Sequence, residues 1–278
     1  GDKGPQELTC KKLTIVNADG KPRMVLTYSE SGGVIHVMST EGKKLATIGG
    51  EKFGGIFRLY GPDEKRSLIL GNNKDGCQIN VCDADGNFRA YLGVDGAKEG
   101  YLTLKNSKDK TTLYCGEDDD GGLIRAYGHD GKERAFFGVG AKGGDGLIML
   151  YGTDGKRRHW LGSENDISSH YIYSTGGVLQ HEIRGGKTGS YHTMMSKDGQ
   201  SIISTIGASN DSGEGILRLN TVKGKTVAYL GSNKNNTGGL ILLNTPEDSS
   251  RVVIGIDANG VGFGEGRDAD NVVRRSLR

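Results

Sequence analysis

Proline is almost missing from this chain, at 4 of 278 residues, while Gly reaches 48. That pairing excludes a collagen-type triple helix, which needs abundant Pro beside Gly at every third position. Cysteine is scarce too: Cys10, Cys77, Cys82 and Cys115 form no CxxC pair of the zinc-binding kind. Cys77 and Cys82 lie an odd number of residues apart on one predicted strand, so they point to opposite faces and are not expected to bond; Cys115 reads as a small buried hydrophobe. Neither sign of charge dominates, with 36 basic residues against 34 acidic ones, interspersed, so no basic stripe for nucleic acid is present. No apolar run approaches about 18 residues, which leaves no helical membrane span, and the opening GDKGPQELTC has no signal-peptide core. Apolar residues at spacings of three and four, the mark of a helix, are missing as well.

What the chain does have is a period. One unit recurs about every 22 to 25 residues, roughly eleven times, with copies such as GGIFRLYGPDEKRSLILG, DGLIMLYGTDGKRRHWLG and EGILRLNTVKGKTVAYLG. Each unit is numbered here from its turn residue: Gly20, Gly42, Glu64, Gly86, Asp109, Gly131, Gly155, Gly177, Gly199, Gly224 and Asp248. Asp often precedes it, and Asp-Gly between alternating runs predicts a two-residue type I′ hairpin turn. Position minus five is apolar in every unit, from Ile15 and Val37 to Leu219 and Leu243. Positions minus seven, plus four and plus six are apolar with few exceptions, Thr205 among them. In a two-residue hairpin minus five faces plus four and minus seven faces plus six, so all four share one face. Gly recurs at plus seven (Gly49, Gly71, Gly93, Gly116 and others), where it is expected to permit a left-handed reversal into a wide polar loop.

The fold class expected is all-β: a repeat array of about eleven two-stranded units over residues 13–259, between a lead segment 1–12 and a tail 260–278. A sheet with one apolar face must cover it. Two architectures do so: an elongated β-meander fibre shaft closed by several identical chains, or a single-chain β-solenoid with the Asp-Gly turn as a corner. The tight turns and paired register favour the meander. A propeller would need about 40-residue blades with four distinguishable strands, and the units do not alternate in that way.

Units of the form GGxIxLYxxDGKxRAxLG resemble the Gly-rich β-hairpin repeat arrays of bacterial surface fibres and phage tail-fibre shafts. The resemblance implies an extracellular or cell-surface, non-catalytic structural subunit that self-associates into a homo-oligomer or filament. An adhesin or phage shaft that binds a surface glycan or receptor is the alternative, and a polysaccharide-acting β-solenoid enzyme a second. No catalytic residue or cofactor is expected.

Two sets of side chains depart from the bland pattern. His159, His170, His181 and His192 occupy four normally apolar positions on successive strands, a candidate transition-metal patch or pH-sensitive joint set against a neutral packing variant. Tyr91, Tyr114, Phe136, Trp160 and Tyr229 stand at plus five, on the face opposite the apolar one, where they are expected to be exposed and to serve an interface or stack on a glycan. The acidic run Glu117–Asp120 reads as a solvated loop.

Overall fold

Alternating apolar and polar residues produce strands along the whole chain. The structure, a computed structural model, describes residues 9–140, 145–164, 166–187, 189–208, 214–232, 238–247, 249–256, 259–268, 270 and 272–277. Among the described residues there is no helix. The chain divides into two units, Gly1–Lys132 and Glu133–Arg278.

The first unit begins with β1 (Leu13–Val16), β2 (Pro22–Ser29), β3 (Gly32–Met38), β4 (Lys44–Glu51), β5 (Gly54–Tyr60) and β6 (Arg66–Asn72). It continues through β7 (Cys77–Cys82), β8 (Phe88–Val94), β9 (Gly100–Lys105), β10 (Thr111–Asp118) and β11 (Gly121–Tyr127). The second unit holds β12 (Glu133–Val139), β13 (Gly146–Tyr151), β14 (Arg157–Glu164), β15 (Ile167–Tyr173), β16 (Leu179–Gly186), β17 (Gly189–Met195) and β18 (Ile202–Ala208). It ends with β19 (Gly215–Asn220), β20 (Thr226–Ser232), β21 (Gly239–Asn244), β22 (Ser250–Ile256), β23 (Gly262–Arg267) and β24 (Val273–Leu277).

Within each unit every strand pairs antiparallel with the next in sequence. That is a meander. A solenoid would instead stack equivalent strands in parallel, a full coil apart. The pairing runs on through β23 and β24, beyond residue 259, where the sequence pattern ends. Part of the lead segment, residues 1–8, and the turn residue Asp248 lie outside the described residues.

The register follows the apolar pattern. Minus five faces plus four at Ile15↔Met24, Leu59↔Leu68 and Leu219↔Ala228. Minus seven faces plus six at Leu13↔Leu26, Phe57↔Leu70 and Leu217↔Leu230.

The turn itself differs from expectation. Gly20 N–H donates to Asn17 O at 3.0 Å, Asn17 N–H donates to Lys21 O at 2.9 Å, and the ladder shifts between Ile15 and Val16. Only the turn residue takes positive φ, at 75° for Gly20. This is a type I turn closed by a left-handed residue in a bulge, not a type I′ turn. Its cause is the polar residue three before the glycine, such as Asn17, Ser39, Asp83 or Asn106, which type I turns favour at their first position. Asp83 Oδ1 accepts from Asp85 N–H at 3.0 Å and Asn87 N–H at 2.9 Å. Glu64 and Asp109, which stand in for the glycine, hold φ of 63° and 59°.

One unit carries an extra residue. Ser196 N–H donates to Ser201 O, and the pairs that follow are Met194↔Ser204 and His192↔Ile206. Ser204 and Ile206 therefore take the places that simple counting gives to Ile203 and Thr205, which explains why Thr205 breaks the pattern. The reversals expected to be wide are in several places two-residue turns: Glu30–Ser31, Lys52–Phe53 and Asp119–Asp120 each link strands directly. Nor do the plus-seven glycines serve the reversal. Gly49, Gly93 and Gly116 lie within β4, β8 and β10. A Cβ on Gly93 would meet the Tyr91 hydroxyl at 2.7 Å, and one on Gly116 the Tyr114 hydroxyl at 2.5 Å. Gly93 and Gly116 are seats over which the plus-five ring lies.

The two faces also exchange roles. Plus five and minus six are the better covered positions: Ile69 is 4% exposed and Phe136 6%, and Thr47, Asn80, Thr193 and Val253 are buried with them. Of the apolar positions plus six is the most open, with Leu92 and Leu230 each 49% exposed and Phe137, Leu161, Ile183 and Ile254 exposed alongside; Ile15 and Val81 at minus five are exposed too, while plus four stays half-buried or buried. Cys115, on that face, is half-buried rather than buried, and all four cysteines are free. The reason is side-chain length. In a single sheet no second layer covers Leu or Ala, whereas long Arg, Tyr and Trp side chains fold across one another on the opposite face.

Candidate functional site

The plus-five face carries the polar and aromatic chemistry. In the first unit Tyr101 of β9 stands between Tyr91 of β8 and Tyr114 of β10. Ring centroids are 4.9 Å apart for Tyr91–Tyr101 and 6.0 Å for Tyr101–Tyr114, both stacked. Burial, then the Tyr91 hydroxyl, pushes the Tyr101 phenol up to about 12. A groove of about 410 Å³ adjoins the stack over β4–β9, bordered by Arg58, Arg66, Gln78, Asn80, Tyr91 and Tyr101. Arg58 Nη2 pairs with Glu51 at 2.5 Å, and Arg89 pairs with Asp83 at 2.5 Å.

In the second unit Trp160 of β14 packs on Tyr171 of β15 with centroids 5.2 Å apart. Arg184 of β16 donates from Nη2 to the Tyr171 hydroxyl at 2.7 Å and from Nη1 to the Tyr191 hydroxyl at 3.4 Å, and pairs with Glu182 at 2.8 Å. These partners, the Tyr171 hydroxyl foremost, raise the Arg184 pKa above its ordinary value. Arg184 stands at plus seven, where glycine is the rule, so a guanidinium fills the seat a ring covers elsewhere. Tyr229 lies under Arg218, whose guanidinium carbon is 6.0 Å from the ring centroid.

The five aromatic residues singled out in the sequence thus share a face but not one stripe. Tyr91 and Tyr114 join through Tyr101, Trp160 joins Tyr171, and Phe136 is buried. None of the five is classed as exposed; Phe136 is buried and the others half-buried. Tyr101, Tyr171 and Tyr191 escaped notice because they sit at minus six or minus eight, positions that face plus five or plus seven across the hairpin. Alternation alone would have found them.

The histidines come together as two pairs. His159 Nδ1 lies 3.5 Å from His170 Nε2, and His181 Nδ1 3.3 Å from His192 Nε2, with stacked rings in both. No hydrogen bond or ring contact links the pairs, and all four residues are half-buried. Among the described residues no three His, Cys, Asp or Glu side chains converge on a metal position. Each pair holds its bond with one ring nitrogen donating and the other accepting. The turn Asp119–Asp120 likewise gathers no such set.

His36 of β3, which the sequence pattern did not single out, sits on the plus-five face with Nδ1 2.9 Å from Thr47 Oγ1. Burial first, then Lys44, lowers its pKa from 6.5. The neutral form is thus favoured in the folded state, so its contribution is present above about pH 6.5 and is lost as pH falls below that value. Unfolding midpoints at about pH 7.5 and about pH 5 are expected to differ less in His36→Gln, which keeps a hydrogen-bonding group, than in the parent. An unchanged difference would remove His36 as a source of acid sensitivity.

No family model and no curated protein sequence matches this chain. Among solved structures it is similar to part of a crystal structure of TcdB2-TccC3, at 12% identity over 95% of this chain, with a TM-score of 0.18. It is also similar to part of the Photorhabdus luminescens Tc holotoxin pore, at 9% identity over 96% of this chain, with a TM-score of 0.20. The chain spans 18% and 17% of those chains. At these scores the likeness carries no argument about fold or activity.

Proposed function

We propose that this chain is a non-catalytic structural subunit of an extracellular fibre or surface filament, built by self-association through its apolar sheet face. The observation that carries the reading is the exposure of the plus-six position along both units, at Ile48, Leu92, Phe137, Leu161, Ile183, Leu230 and Ile254, joined on the same face by exposed residues at minus seven and minus five such as Ile15, Val81, Leu219 and Leu243. Large apolar side chains exposed in register along one face mark an interaction surface.

The occupant follows from spacing. Each strand gives two apolar positions to this face, and they recur from strand to strand at about 4.8 Å, in the same paired register hairpin after hairpin. A second copy of this chain presents the same spacing over the same length, and two such faces pack about 10 Å apart. No enzyme chemistry is needed for that role, and the resemblance to fibre repeats points the same way.

Sedimentation at micromolar concentration tests it. The parent chain is expected to run as a homo-oligomer. Leu92→Lys combined with Leu230→Lys is expected to yield a monomer with unchanged circular dichroism. A monomeric parent chain, or a double variant that still assembles, would overturn the reading.

A further inference from the structure

The groove over β4–β9 lies on the face opposite the apolar one, and its chemistry differs from that of a packing surface. One wall is aromatic. Tyr101 stacks on the β9 side of Tyr91, which leaves the other side of the Tyr91 ring towards β7, where Gln78 and Asn80 stand. The Tyr101–Tyr114 contact backs that ring, so it is held in place. The floor and the far wall carry cations. Arg58 gives Nη2 to Glu51, but its Nε is buried with no hydrogen-bond partner. Arg66 borders the same groove and makes no ion pair with a carboxylate among the described residues. A buried donor left without an acceptor is costly, and an anionic ligand oxygen would satisfy it.

We propose that this groove binds an acidic oligosaccharide, with a sugar ring stacked on Tyr91 and a sugar carboxylate held by Arg58 and Arg66. Sugar rings present an apolar C–H face that packs on an aromatic ring, and a rim of hydroxyls that needs amide partners. Gln78 supplies a side-chain amide at that rim, with the buried Asn80 beside it. The two arginines select for a carboxylate, because a planar guanidinium matches its two oxygens. The volume of about 410 Å³ falls in the range of small-ligand clefts. This site is independent of the self-association surface, since the two occupy opposite faces of the sheet.

The test is titration calorimetry of the full chain with trigalacturonate and, in parallel, with its fully methyl-esterified form, which is neutral. Trigalacturonate is expected to bind at least about tenfold more tightly, the size of one charge-assisted contact. Tyr91→Ala is expected to abolish binding of both sugars. Arg66→Gln is expected to erase the preference for the acidic sugar while leaving weak binding of the neutral one. Trp160→Ala, in the other unit, is expected to change nothing. Circular dichroism of each variant separates loss of binding from loss of fold. Equal affinity for the two sugars, binding that survives Tyr91→Ala in a folded protein, or no heat up to about 10 mM trigalacturonate would overturn the proposal.

Discussion

Gly207→Ala is expected to cost about 2–4 kcal/mol, and to lower the unfolding midpoint by roughly 5–10 °C. Gly207 of β18 pairs with Tyr191 of β17. Its φ of 154° lies where side chains are rarely found. A Cβ there would run into the Ser190 carbonyl oxygen and the Tyr191 Cα, with Tyr191 Cβ at 2.8 Å. The first two are backbone atoms and cannot swing aside, so the two strands must separate. Gly231→Ala in β20 is the instructive comparison. Its nearest neighbour is the Tyr229 hydroxyl at 2.5 Å, the end of a side chain that can rotate, so a smaller loss of about 1 kcal/mol is expected. Gly215→Ala, with nothing within 4 Å of the new Cβ, should be neutral. Thermal unfolding of the three variants checks the order. A Gly207→Ala protein as stable as Gly215→Ala would mean that β17 and β18 are not in this register.

Thr193→Asp and Ile206→Asp are expected to have opposite signatures although they lie on adjacent strands. Thr193 is 2% exposed, faces Thr205 on one side and Glu182 on the other, and belongs to the covered face. A carboxylate there is buried beside another carboxylate, at an expected cost of about 3–5 kcal/mol. Ile206 is 51% exposed on the apolar face. In the separated chain a carboxylate at 206 stays wet and should cost under about 1 kcal/mol. In the assembly the same group would be trapped between apolar faces, so Ile206→Asp should lose oligomers while keeping its fold. Denaturant unfolding and sedimentation of both variants read the two effects separately. Destabilisation of the dilute chain by Ile206→Asp as severe as by Thr193→Asp would return the apolar face to the interior of the single chain.

That pair also marks the limit of what is legible in the sequence. Alternation located the strands, and the matched apolar positions located the register, because both depend on local geometry with a period of two. Hydrophobicity identified which face is apolar but not which face is covered in one chain. Coverage depends on neighbouring side-chain length and on whether another layer exists, and neither is local. The turn type is legible in Asn17, Ser39 and Asp83, because a polar residue three before the glycine favours type I over the type I′ that the Asp-Gly step alone predicts. The extra residue between Ser196 and Ser201 was visible only as the misfit of Thr205. The arginine at 184 broke the glycine rule in plain view, yet its partners Tyr171 and Tyr191 come from two other strands and needed the pairing to be found.

The turn at Ser196–Ser201 has a bearing on how such a chain changes length. One added residue there is taken up inside the loop, and Gly207, Ile206 and the strands beyond keep their faces. The same single residue inserted within a strand would turn every later side chain of that strand to the wrong side. Length variants of this protein are therefore expected to fall into two kinds: small insertions confined to turns, and gains or losses of whole hairpins. Duplication of one complete hairpin adds a segment that already fits both its neighbours, so a coding sequence of this kind can grow or shrink by recombination between its own copies without passing through a misfolded product.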